Sequence, residues 1–167
     1  MSVEDVTFQG PAGAPFAGQA VRRGAPRKVR VLIVDDIAEN RAVLGVCCEQ
    51  FGVAYEAVAS GREAVEAARS GRFDLVFMDI LMPGMDGVAA TRAIRALPDE
   101  SALVPIIAVT TAAEPMDLIH YRASGITDVV AKPINVARLM AALETAVAAA
   151  RRHRRSRARH EQMRLSA

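Results

Sequence analysis

The chain of 167 residues has no tryptophan, two tyrosines and two cysteines. Each scarcity closes off a class of function. Cys47 and Cys48 are adjacent, a spacing that rarely bridges, and there is no second cysteine pair to complete a metal site. They read as ordinary small helix residues in a reducing compartment. No stretch approaches the ~18 unbroken apolar residues of a membrane span. The N-terminus carries Glu4 and Asp5 and no apolar core, so it does not read as a secretory signal, and a cytoplasmic location is expected. Aromatic residues are only 4% of the chain.

What is present favours one packed domain with some tail. Hydrophobic residues make up 51% of the chain, which argues against disorder. The formal net charge of +2 conceals an asymmetry. Residues 151–167 hold seven Arg and one Glu, residues 1–30 carry +3, and residues 31–150 carry −7. An acidic body between basic ends does not look like a nucleic-acid-binding domain, and any such contact would reside in the ends.

The apolar runs Val29–Val34, Ala54–Val58, Leu75–Met78, Val104–Val109 and Asp128–Ala131 have strand length rather than helix length. Helical spacing fills the gaps. Val43, Leu44, Cys47 and Phe51 mark a helix from Ile37 that Gly52 stops. Ser60 and Glu63 form a capping-box pattern for a second helix, ending near Ser70 and Gly71. A third runs from Gly87 to about Leu97, and Pro98 ends it. A fourth begins at Glu114 and Pro115, reaches Ala123 and stops at Gly125. Asn135 caps the last, with Val136, Leu139, Met140, Leu143 and Val147 on one face. Five alternations of strand and helix predict a parallel sheet with helices on both faces, an α/β fold.

Residues 1–28, rich in Gly, Pro and Ala without a period, are expected to be a disordered N-terminal arm. Residues 29–150 are the expected domain. Residues 151–167 are an Arg-rich tail or an extension of the last helix. Arg favours helix and cations suit a helix C-terminus, but repulsion between pairs such as Arg151 and Arg155 opposes it. The tail has no aromatic residue for base stacking, so an acidic partner suits it better than nucleic acid.

The strand ends carry the chemistry. They read Asp35-Asp36, Asp79, Thr110 and Lys132, and C-terminal ends of parallel strands share one edge of the sheet, where ligands bind in open α/β folds. Gathered carboxylates cannot all stay ionised without compensation, and a hard cation such as Mg²⁺ supplies it. A carboxylate can also be a nucleophile, with Lys132 as a point charge for phosphate and Thr110 as a hydroxyl donor. The inventory fits phosphoryl transfer to an Asp.

The segments Val31-Leu-Ile-Val-Asp35-Asp36, Met78-Asp79-Ile-Leu-Met82-Pro83-Gly-Met85-Asp86-Gly87, Val109-Thr110 and Lys132-Pro133 resemble the response-regulator receiver domain of two-component signalling. The likeness covers roughly residues 29–150. Asn40-Arg41 after the acidic pair is similar to receivers attached to hybrid histidine kinases. The resemblance implies a flavodoxin-like (βα)5 fold with strand order 2-1-3-4-5. By position it implies Asp79 as phosphoacceptor, with Asp35, Asp36, Asp79 and the backbone carbonyl of Leu81 around Mg²⁺. It implies Thr110 as switch hydroxyl and Lys132 as partner of the phosphoryl group. The donor is expected to be a phosphohistidine on a histidine kinase or histidine phosphotransfer protein.

Two departures stand out. The family's usual aromatic residue three before the Lys is Val129 here, and the nearest tyrosine, Tyr121, reads as a packing residue on the preceding helix. Leu81 and Ala112 flank the expected path of water and cannot hydrogen-bond it, which predicts slow self-dephosphorylation. Met78, Met82 and Met85 read as packing. The expected function is a single-domain response regulator that relays a phosphoryl group or switches an unknown downstream protein, and no enzyme beyond its own phosphorylation and dephosphorylation. The alternatives are a regulator whose Arg-rich tail binds nucleic acid, and a degenerate receiver that works without phosphorylation.

Overall fold

The computed structural model describes residues 28–165, so the expected N-terminal arm lies outside the described residues, apart from Lys28. The strands are β1 (Arg30–Val34), β2 (Ala54–Val58), β3 (Leu75–Met78), β4 (Ile106–Thr110) and β5 (Asp128–Ala131). The helices are α1 (Ala38–Gln50), α2 (Gly61–Ala68), α3 (Gly87–Arg95), α4 (Pro115–Ser124) and α5 (Val136–Leu165). The sheet order is β2-β1-β3-β4-β5, and every pairing is parallel. This is the flavodoxin-like order expected from the likeness.

The central strands β1, β3 and β4 are apolar at nearly every position because helices cover both faces. The period of two divides them between two cores. Leu32, Val34, Val76, Met78, Ile106 and Ala108 pack with Ala64, Ile94 and Tyr121 from α2, α3 and α4. Val31, Ile33, Phe77 and Val109 pack with Leu44, Cys47, Leu139 and Leu143 from α1 and α5. Burial pushes the Cys48 thiol up to about 12, which leaves it inert as a nucleophile near neutral pH.

Caps set where the helices begin. The Ser60 hydroxyl accepts from the Glu63 N–H, and the Glu63 carboxylate reaches back to the Ala59 N–H. Asn135 accepts from the Arg138 N–H at 3.0 Å. Two helix faces need correction. Val43 and Val136 are exposed, and α1 instead buries Leu44, Cys47 and Cys48. The Cys47–Cys48 pair is small enough to sit on the sheet, which turns Val43 outward. A short 3-10 turn over Glu100–Leu103, capped by Asp99, precedes β4 and shortens that strand relative to expectation.

The α5 backbone continues as helix through the Arg-rich segment to Leu165. Among the described residues no helix is long and apolar enough to cross a membrane.

Candidate functional site

Register brings the acidic residues together. Val34 of β1 lies beside Met78 of β3, so the residues that follow, Asp35 and Asp79, are neighbours. The Asp79 N–H donates to the Val34 carbonyl at 2.8 Å. On the other side Thr110 pairs with Ala131, and the Lys132 N–H donates to the Thr110 carbonyl at 2.8 Å. Lys132 therefore emerges at the same edge. Its ammonium lies 2.8 Å from Asp35 Oδ2 and 3.2 Å from Asp79 Oδ2.

The loop after β3 depends on Gly87. A Cβ there would lie 2.1 Å from the Asp79 carbonyl oxygen and 2.8 Å from Ile80 Cα. Only a residue without a side chain lets α3 start this close to the strand end. The Gly87 N–H then donates to the Ile80 carbonyl at 3.0 Å, and Asp86 caps α3 through the Ala89 N–H. The Leu81 side chain, two residues after Asp79, points into solvent.

The three carboxylates are not equivalent. Asp35 is fully buried, and its Oδ1 accepts from the Ile37 N–H and from Asn40 Nδ2, at 2.9 and 3.1 Å. With Lys132 on Oδ2, its acceptor capacity is well used. Asp36 is partly exposed, yet its Oδ1 is buried without a hydrogen-bond partner. A buried anionic oxygen without a partner costs free energy that a bound cation removes. One oxygen from each of Asp35, Asp36 and Asp79 lies within 4.8 Å of the others. An all-oxygen set with an orphaned lone pair fits a hard divalent ion that keeps some of its waters.

The electrostatics follow from this crowding. Burial raises the Asp79 pKa above its ordinary value; Lys132 opposes the shift and the neighbouring Asp35 adds to it. Burial acts to lower the Lys132 pKa, but its bond to Asp35 and the charge of Asp79 outweigh burial, and the pKa rises.

Three supporting residues gain definite places. Asn40 and Arg41 entered the sequence reading only through the family likeness. Asn40 orients Asp35, and Arg41 donates to the Asp35 and Asp36 carbonyls at 2.7 and 3.0 Å. The signal was their position in the first turn of α1, which folds back over the acidic pair. Tyr121 is more than the packing residue expected. It is buried, and its hydroxyl donates to the Ala112 carbonyl at 3.0 Å. Thr110 is buried as well, with its hydroxyl accepting from the Ala112 N–H. Val129 is half-buried against the same core as Tyr121.

The sequence pattern of the response regulator receiver domain matches residues 31–144. The chain belongs to this family. Sensor protein GacS of Pseudomonas syringae pv. syringae is 41% identical over 127 residues, which span 72% of this chain and 14% of GacS. Across eight of the curated relatives it matches, the chain spans 12% to 18% of their length. The solved receiver domain of sensor histidine kinase PA1611 from Pseudomonas aeruginosa is 34% identical, with a TM-score of 0.67 over 72% of this chain and 98% of that one. It holds a magnesium ion in its active-site cleft. The receiver domain of Ssk1 from Saccharomyces cerevisiae, crystallised with the histidine phosphotransfer protein Ypd1, is 31% identical, with a TM-score of 0.61 over 68% of this chain and 84% of that one. Receiver domains accept phosphoryl groups in two-component signalling, and this receiver has their fold and their acidic pocket.

Proposed function

We propose that this receiver accepts a phosphoryl group on Asp79 from a phosphohistidine of a histidine kinase or phosphotransfer protein. The observation that carries the reading is the Lys132 ammonium set between Asp35 and Asp79, with Asp36 in the same acidic cluster and one of its oxygens unpartnered. An Asp79 carboxylate oxygen forms a bond to phosphorus as the phosphorus–nitrogen bond of the donor breaks. The imidazole nitrogen leaves with that electron pair and takes up a proton. Asp35, Asp36, Asp79 and the Leu81 carbonyl would hold Mg²⁺, which when bound offsets the charge of the carboxylates and of the transferring group. Lys132 pairs with the phosphoryl oxygens, and Thr110 donates its hydroxyl proton to one of them.

The chain acts on no other substrate in this reading. Its output is a change in what it binds, or onward transfer of the phosphoryl group, as a single-domain regulator. Leu81, exposed and apolar, and Ala112 leave an attacking water without a side-chain partner, so the acyl phosphate hydrolyses slowly, over many minutes rather than seconds. The test is incubation with Mg²⁺ and acetyl phosphate followed by intact mass. A phosphoryl adduct is expected on the native chain and none on Asp79→Asn. A native chain that gains no mass overturns the reading and leaves a degenerate receiver in its place.

A further inference from the structure

We infer that Arg41 is a positioning residue that makes the acidic cluster prefer a small divalent ion, Mg²⁺, to the larger Ca²⁺. The inference rests on the reading of Asp35, Asp36 and Asp79 as a metal site. Its own basis is the way the loop between β1 and α1 is tied down. Arg41 Nη1 carries two N–H groups and gives them to the Asp35 and Asp36 carbonyls, at 2.7 and 3.0 Å. The Asp35 N–H donates to the Val58 carbonyl at 3.3 Å, and the Arg41 N–H to the Ile37 carbonyl at 3.2 Å. Asp35 Oδ1 accepts from the Ile37 N–H and from Asn40 Nδ2. The main chain of the acidic pair is thus fixed on one side to β2 and on the other to the first turn of α1.

This anchoring bears on the ion in two ways. With its main chain held, Asp36 moves only through its own side-chain torsions, and its Oδ1 stays buried without a partner. An ion that fits where the carboxylates already stand satisfies that oxygen without moving the loop. Mg²⁺ binds oxygen at about 2.0–2.1 Å in near-octahedral geometry, whereas Ca²⁺ takes about six to eight oxygens at about 2.3–2.6 Å, backbone carbonyls among them. The larger ion therefore needs ligands spread further apart, and more of them. Arg41 resists both demands. It holds the loop, and it engages two carbonyl oxygens that a larger ion would recruit. Its charge does not explain such a preference, because a neighbouring cation repels two divalent ions alike.

The bland alternative is that Arg41 only steadies α1. Arg41→Met removes the charge and the N–H groups and keeps an unbranched stem. The affinity for each ion is read from the rise of the urea midpoint with metal concentration. In Arg41→Met the Mg²⁺ affinity is expected to fall about ten-fold, the low end for loss of a group that orients metal ligands, while the Ca²⁺ affinity holds or rises. The preference for Mg²⁺ over Ca²⁺ then drops by about ten-fold or more. Loss of charge alone would raise both affinities together, and simple loosening of α1 would lower both together. An unchanged preference in either form overturns the inference, as does a native chain that binds Ca²⁺ as tightly as Mg²⁺. The midpoint in chelator records any loss of stability separately. Should Arg41→Met fail to fold, Arg41→Gln, neutral and shorter, decides by the same ratio. A native chain that Mg²⁺ does not stabilise overturns the metal reading and the inference together. A native chain that Mg²⁺ stabilises, with its preference intact in Arg41→Met, overturns the inference alone.

Discussion

The two ends of the sheet both bury carboxylates, and they use them differently. At the N-terminal end Asp74 accepts from the Arg30 N–H at 3.0 Å, and its own N–H donates to the Arg30 carbonyl. It ties β3 to β1 with backbone partners. A concavity of about 410 Å³ opens beside it, lined by Phe73, Ser101, Val104 and Thr127. At the C-terminal end three carboxylates crowd together, two of them share one lysine, and one buried oxygen has no partner. A satisfied carboxylate holds a fold together, whereas a crowded, under-partnered group is poised to take up an ion or a phosphoryl group.

The sharpest way to break this contrast is to neutralise one carboxylate at each end. Asp79→Asn is expected to abolish the adduct from acetyl phosphate, by more than about 100-fold as for loss of a nucleophile. Asp74→Asn keeps an oxygen for the Arg30 N–H and should leave phosphorylation unchanged, at a stability cost of about 1 kcal/mol. Intact mass and urea denaturation report the two effects. Equal loss of phosphorylation in both variants would remove the distinction between the ends.

Glycine shows the same division. Gly87→Ala forces a methyl into the Asp79 carbonyl, and neither side is a flexible side chain that can give way. A loss of about 3 kcal/mol or more is expected. Gly71, before β3 at the other end, has φ of +62°, and the atom that a methyl would meet there is the Ser101 hydroxyl at 3.5 Å. Gly71→Ala meets conformational strain alone, about 1 kcal/mol. Urea midpoints of the two variants give the comparison, and a larger loss at Gly71 would contradict it.

Lysine 132 sharpens it further. Lys132→Ala leaves Asp35 and Asp79 buried without their shared cation. A loss of about 3 kcal/mol is expected in chelator, toward the low end for a broken buried pair, because 15% of the Lys132 side chain still meets solvent. Mg²⁺ should recover part of it. Arg138 pairs with Asp128 on the surface at 2.6 Å, and Arg138→Ala should cost no more than about 1 kcal/mol with no response to Mg²⁺.

Much of this was legible in the chain. Apolar runs of four to six residues, four of the five halted by Asp, Thr or Lys, carried the sheet and the common edge, because parallel strands all point one way. The box at Ser60 and Glu63 and the cap at Asn135 were local chemistry and so were visible. What stayed hidden depends on distant neighbours. Val43 fits the apolar period of α1, yet faces water because the sheet meets Cys47 and Cys48 instead. Nothing near Arg95 in sequence shows that its guanidinium is caught by the carbonyls of Ala102, Val104 and Gly125. Tyr121 reads as packing because nothing near it in sequence shows that its hydroxyl meets Ala112.

The smallest effect concerns pH and tests the crowding itself. Asp79 has a pKa raised chiefly by burial, with Asp35 adding to it and Lys132 opposing. A group raised in the folded state contributes stability that is fully present below its unfolded value, 3.8 here, and lost as pH rises through the folded value. Metal-free protein near neutral pH has therefore lost that contribution, and Asp79→Asn, which cannot ionise, has nothing to lose. In chelator the variant should be the more stable of the two near neutrality. The gap should close as pH falls through the folded pKa of Asp79 toward 3.8. Lys132 does not blur the comparison, since its raised pKa places the loss of its own contribution above 10.5. Excess Mg²⁺ should reverse the order, because the ion binds the native carboxylates better than a site with an amide among them. Denaturation curves of both proteins across that pH range, with and without Mg²⁺, measure the whole pattern. A native chain that is the more stable in chelator near neutral pH would mean that Lys132 already balances the three carboxylates, and the site would then be no more poised than Asp74 at the other end.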